Sequence, residues 1–160
     1  MTLALGIDPG TATTGYGLVR LMRDGELVAA QYGIISTPKD ATASARLEML
    51  YDQLRDLLKQ HQPDTAAVEK LFFARNVTTA LAVGQARGVV MLCLQQAGIE
   101  TFEYTPKEVK QAVAGYGSAE KRQVQEMVRA LLQLESIPKP DDAADALAIA
   151  ITHLNTARYE

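Results

Sequence analysis

The sequence predicts an α/β fold: a five-stranded mixed sheet flanked by helices. Three observations carry that prediction. The first 37 residues hold three short apolar runs separated by turn residues, without helical periodicity. Residues 43–62 then switch to apolar spacings of three and four. Beyond them, strand-like and helix-like segments alternate, the pattern of parallel crossovers added to an antiparallel half.

Residues 2–8 read as the first strand. "GYGLVRLMR" and "ELVAAQYGIIST" read as the second and third, joined at "RDGE" by a tight turn on Asp24 and Gly25. Between Ala43 and Gln62, residues Leu47, Leu50, Tyr51, Leu54, Leu57 and Leu58 mark one face of a helix, which "QPD" stops. "TAAVEK" reads as a short buried fourth strand. Asn76 is placed to cap a long helix through Gln96, closed by Gly98. "ETFEYT" supplies the fifth strand, Pro106 starts a short helix to Ala114, and Ser118 caps another to Leu132. After "SIPKPDD" a final helix runs from Asp142 towards Arg158. The fourth strand follows a helical crossover and can lie beside the first. In such sheets ligands gather outside the carboxyl ends of the strands.

No repeat or low-complexity segment interrupts the chain, so residues 1–160 are expected to form one domain. At 48% hydrophobic and 22% charged, it has the balance of a globular protein. No stretch reads as a membrane span or a signal peptide, and a cytoplasmic protein is expected. Cys93, in "GVVMLCLQQ", is the only cysteine, which excludes an internal disulfide and a cysteine-based metal cluster. A net charge of −3 argues by itself against a nucleic-acid partner. The distribution of charge argues the other way, because residues 70–129 hold 8 basic and 5 acidic side chains between two acidic flanks. A local basic surface binds phosphate even on an acidic protein.

Those flanks contain the chemistry. Asp8 follows "LGI" and Glu69 follows "AAV", so two carboxylates end apolar strands at one edge of the sheet. Asp142 and Asp145, three residues apart, share a face in the first turn of the last helix. Asp141 reads as a cap or a solvated neighbour of Pro140. Four clustered carboxylates raise one another's pKa unless a counter-charge is present. Oxygen ligands without cysteine or a histidine pair point to magnesium or manganese, and His61 and His153 read as ordinary structural or surface residues. Two such ions clamp the attacking and leaving oxygens of a phosphodiester displacement. The turn after Asp8, "PGTATTGYG", resembles phosphate-binding loops of actin-like kinases and ATPases, which need two such domains.

Five ordered blocks, "GIDPGTATTGYG", "VEKLFFARN", "VGQARGVV", "VKQAVAGYGSAEKRQVQEMV" and "DDAADALAIAITH", together resemble the RuvC family of bacterial Holliday-junction resolvases. The resemblance spans residue 3 to about residue 154. It implies an RNase H-like fold and a homodimeric, magnesium-dependent endonuclease that nicks two opposing strands of a four-way junction, working with the RuvA and RuvB branch-migration proteins. The family's acidic quartet falls on Asp8, Glu69, Asp142 and Asp145, with Asp141 an extra acid beside it. Its junction-stacking aromatic falls on Phe72, and its DNA-contacting lysines on Lys110 and Lys121. The resemblance places Lys121 near the scissile phosphate. Arg75, Lys107 and Arg122 are further expected phosphate contacts. Ala80, Gly84 and Gly88 form a small-residue stripe on the long helix, which packing against its own sheet also explains. The resemblance assigns this helix to a two-fold interface, and a symmetric junction gives such an interface a purpose. A related nuclease acting on RNA–DNA hybrid would keep the acids without needing a dimer.

Overall fold

The computed structural model describes residues 1–10, 12–70 and 77–157. Five strands, β1 (Thr2–Asp8), β2 (Thr13–Leu21), β3 (Leu27–Ser36), β4 (Thr65–Glu69) and β5 (Thr101–Tyr104), form one sheet in the order β3-β2-β1-β4-β5. β1 pairs antiparallel with β2, from Thr2–Leu21 to Asp8–Gly15. It pairs in parallel with β4, from Ala4–Thr65 to Ile7–Val68. Strand order and direction both match the expectation. The β2–β3 turn is tight as expected: Gly25 takes φ +92°, and the Asp24 side chain accepts the Glu26 N–H at 2.9 Å.

The helices are α1 (Ala43–His61), α2 (Val77–Gln96), α3 (Pro106–Ala114), α4 (Lys121–Leu131) and α5 (Asp141–Ala157). α1 and α2 cover one face of the sheet, where Leu3, Leu5 and Ile7 pack with Leu50, Leu54, Leu58, Val90 and Leu94. α3, α4 and α5 cover the other, where Ala4, Val19 and Ala67 meet Val109, Val128, Leu147 and Ile151. A strand alternates its side chains between faces, so the odd residues of β1 point to α1 and α2 and the even ones to α5. Asp8 is even. Its carboxylate therefore leaves the sheet on the face that α5 occupies.

α5 lies unusually close. Its Ala143, Ala144, Ala146, Ala148 and Ala150 are at most 1% exposed, and opposite them the strands carry glycine. A Cβ on Gly6 would stand 2.1 Å from the Ala146 carbonyl oxygen, and one on Gly15 2.0 Å from that of Asp142. No side chain fits at either position.

Several expectations need correction. α4 begins at Lys121, not near Ser118: Glu120 takes the cap position and its N–H donates to the Gln123 side chain at 2.8 Å. A turn closed by the Ala119 N–H on the Tyr116 carbonyl delays the helix by two residues. α5 starts one residue early, at Asp141, and β2 two residues early, at Thr13. α2 is a 20-residue helix that contains an 18-residue window of mean hydropathy 1.5, so on length and composition alone it does reach a membrane span. One of its sides joins the core, and its outer side exposes Val77, Leu81 and Leu92. Asn76, expected as its cap, lies outside the described residues. Gly98 closes it as expected, at φ +73°. His153 is structural: Nε2 meets the Thr65 hydroxyl and Nδ1 the Tyr104 hydroxyl, each at 2.8 Å.

Candidate active site

The end of β1, the end of β4 and the first turn of α5 converge on one corner. Oxygen atoms of Asp8, Asp142 and Asp145 lie within 4.8 Å of one another. Glu69 joins this group through Asp8, with which it shares a hydrogen bond. The helix turn sets Asp142 and Asp145 on one face, and the glycine-lined approach of α5 carries them to the strand ends. All four expected acids are thus brought together.

The electrostatics are those of a site built around a cation. Burial, followed by the Glu69 charge and hydrogen bond and then by Asp145 and Asp142, pushes the Asp8 carboxyl from 3.8 up to about 9. Burial also raises Asp145, against the opposing pull of Lys121. Four hard oxygen donors with a deficit of positive charge fit a magnesium- or manganese-type ion. Thr13 touches the acid cluster, and the sequence does not single it out beyond the small, hydroxyl-rich character of its segment. Its Oγ1 donates to Asp142 Oδ2 at 2.7 Å and so orients one of the acids.

Because the native state holds the Asp8 proton more tightly than the unfolded chain does, the contribution of this group to metal-free stability is full below about pH 4. It declines as the pH rises through about 9. Magnesium or manganese should therefore raise the melting temperature more at about pH 9 than at about pH 6. Thermal denaturation in chelator and in metal measures this. Equal shifts at both pH values would show that Asp8 does not face the ion.

Lys121 stands on the rim of the site, its Nζ 3.7 Å from Asp145 and 3.4 Å from Asp141. Burial lowers its pKa, but Asp145 and Asp141 outweigh burial and hold the ammonium above its ordinary value. Lys110 and Lys121 line one cavity of about 250 Å³ together with Glu69 and Asp145, floored by Val109, Val124 and Ala148. Lys107 is not in this group: it lines a separate cavity with Tyr104 and Thr152. Arg122 is exposed beside Lys121 in the first turn of α4. Asp141 is exposed and takes a hydrogen bond from Gln125 at 3.3 Å. Phe72 and Arg75 lie outside the described residues.

The small-residue stripe is not all on one side. Ala80 is buried against its own fold, Gly84 is half-buried, and Gly88 faces open space.

Known proteins agree with this geometry. A family model described as "Crossover junction endodeoxyribonuclease RuvC" matches residues 4–153. The RuvC of Chloroflexus aggregans is 60% identical over 155 residues, covering 96% of this chain and 93% of its own. That of Roseiflexus sp. is 55% identical over 156 residues, covering 98% and 92%. Among solved structures, T. thermophilus RuvC in complex with Holliday junction substrate matches with a TM-score of 0.94 at 36% identity, over 99% of this chain and 96% of that one. The yeast mitochondrial Holliday junction resolvase Ydc2 shares the fold, with a TM-score of 0.67 at 17% identity over 95% and 78%. The architecture is RNase H-like, as the strand order and these structures agree. With the family model matching residues 4–153 and a relative 60% identical across 96% of it, the chain belongs to the RuvC family of crossover junction endodeoxyribonucleases.

Proposed function

We infer that the acidic corner is where this crossover junction endodeoxyribonuclease hydrolyses the phosphodiesters of a Holliday junction, in DNA recombination and repair. Asp8, Glu69, Asp142 and Asp145 would hold magnesium, with manganese as a substitute and two ions per site. The observation that carries this reading is the meeting, within 4.8 Å, of oxygens from Asp8, Asp142 and Asp145. Asp8 is more than 130 positions from the other two in sequence, yet all three stand at one sheet edge. A bound divalent ion supplies charge neutralisation at the phosphate and acidifies water. The chain does the remaining work. Thr13 holds Asp142 in orientation, and Lys121 offers a cation beside the acids where negative charge grows on the phosphate. Attack at phosphorus with departure of the 3′ oxygen leaves a 5′-phosphate and a 3′-hydroxyl, ends that a ligase can seal.

Among the described residues Lys110 and Lys121 are the proposed DNA contacts that share a cavity with the acids, Lys107, Arg122 and Arg75 are further proposed phosphate contacts, and Phe72 is the proposed aromatic that stacks on a base at the junction centre. The proposed partners are a second copy of this chain and the RuvA and RuvB branch-migration proteins, in the cytoplasm. The dimer reading is supported by the outer face of α2. Gly88 opens onto solvent between Leu81 and Leu92, which are 65% and 54% exposed. Gly84 flanks this face, whereas Ala80 is turned inward.

Synthetic four-way junction, linear duplex and RNA–DNA hybrid, each with and without magnesium, test the function together. Two symmetric nicks are expected in the junction alone, and only with metal. Equal cutting of linear duplex would sink the reading, and preference for the hybrid would assign the related class. Junction binding should persist in chelator and fall steeply with salt. Lys110→Ala should flatten the log–log salt slope by about 0.9. An unchanged slope removes Lys110 from the binding surface.

A further inference from the structure

The end of β4 is held from two sides. On one, the Lys70 N–H donates to the Tyr104 carbonyl at 2.7 Å, the last rung to β5. On the other, the backbone pairing with β1 stops at Ile7–Val68, so Glu69 lies past the last pair. There a side chain takes over. Arg87, on α2, donates through Nε to the Glu69 carbonyl at 3.3 Å, and its Nη2 is paired with the Glu103 carboxylate of β5. The Arg87 side chain is only 18% exposed. A guanidinium is a planar fork, so fixing one prong fixes the direction of the others. Glu103 therefore aims Arg87, and Arg87 grips the residue whose carboxylate meets Asp8.

We propose that Arg87 is a positioning residue for the reaction: through the Glu69 carbonyl it sets where the Glu69 carboxylate stands in the metal site, with Glu103 as its aiming partner. The proposal rests on the reading of Glu69 as a metal ligand. Partners that orient a ligand without touching the ion typically matter by about 10–100-fold in metal affinity. A lysine at this position keeps the charge and loses the fork.

The test is direct titration of Mn²⁺ into the full chain, followed by calorimetry, with melting temperature and junction binding in chelator measured alongside. Arg87→Gln and Arg87→Lys should both weaken Mn²⁺ binding by about 10–100-fold. Junction affinity in chelator should stay at the wild-type value, and excess Mn²⁺ should recover part of the lost cleavage. Glu103→Gln, which keeps Arg87 but releases its aim, should lose affinity in the same direction and less. It is also the informative variant if the Arg87 changes do not fold. A lower melting temperature with wild-type Mn²⁺ affinity in the Arg87 and Glu103 variants would overturn the proposal and leave Arg87 as a structural tie only. Glu69→Gln separates the two layers. If it binds Mn²⁺ normally, the reading of Glu69 itself is wrong; if it loses Mn²⁺ while the Arg87 variants do not, only the positioning role fails.

Discussion

Asp8→Asn should reduce cleavage by at least about 10³-fold while leaving junction binding in place. The change conserves size and removes one negative charge from the centre of the acidic corner. It also makes a second, opposite effect measurable. In chelator at about pH 9, the wild-type chain has lost the stability that the protonated Asp8 carboxyl supplies, since that group titrates at about 9 in the fold against 3.8 outside it. An amide does not titrate, so the variant should melt higher than wild type under those conditions, and its stability should vary less with pH. The reverse, an inactive variant that melts lower in chelator at every pH, would mean that the amide disrupts packing rather than metal binding. Asp141→Asn serves as the neighbour control. Asp141 is exposed and sits outside the acid cluster, so its variant should cut at near wild-type rates. An essential Asp141 would shift the register of the helix by one residue.

Gly15→Ala is expected to be the most damaging single methyl that the fold can receive near the site. The new Cβ would stand 2.0 Å from the carbonyl oxygen of Asp142 and 2.4 Å from its carbonyl carbon, both backbone atoms of α5. Neither can rotate away, so the helix or the strand must move. Overpacking of this kind costs about 1–3 kcal/mol. The catalytic penalty is of similar size, because a displacement of about 1 Å at a reacting centre lowers a rate by about 10²-fold. Gly25→Ala is the matched control: that glycine has φ +92° and open space around it, so alanine there should cost stability through backbone strain and leave cleavage unchanged. Melting curves and single-turnover cleavage of both variants decide it. A Gly15→Ala protein with wild-type melting and cutting would show that α5 does not rest on β2 as closely as described.

Much of the fold and the site is legible in the sequence because apolar runs and helical spacing differ. Short apolar runs bounded by turn residues mark β1 and β2, the three-and-four spacing marks α1, and Asp8 and Glu69 stand out because a charge at the end of a buried strand has no packing reason. The DAAD spacing alone puts Asp142 and Asp145 on one helix face. What stays hidden depends on where elements lie in space. Thr13 orients Asp142 across 129 residues, and no local signal links a threonine in a turn to an acid on a distant helix. Arg87 is visible only as one letter in "GQARG", because the carbonyl that it grips belongs to another strand. Gly6 and Gly15 look like weak strand residues; the backbone of α5 at Ala146 and at Asp142 explains them only once that helix is laid across the sheet. Ser118 is the better intrinsic cap, but the Tyr116–Ala119 turn that contains it carries the chain to Glu120 before the helix can start.

The distance between Thr13 and Asp142 along the chain has a consequence for the timing of synthesis. β1, β2 and β3 are neighbours in sequence and can pair while the chain is still emerging from the ribosome. The acidic corner cannot form then, because two of its four carboxylates arrive on the last helix, at residues 142 and 145. A nascent chain therefore carries Asp8 and Glu69 at a half-built sheet edge with no partner acids, and α5 must dock to finish both the core and the site. A DNA-cutting activity that uses all four acids is in this way withheld until α5 has been made and docked, and chains cut short before residue 142 should not cleave a junction.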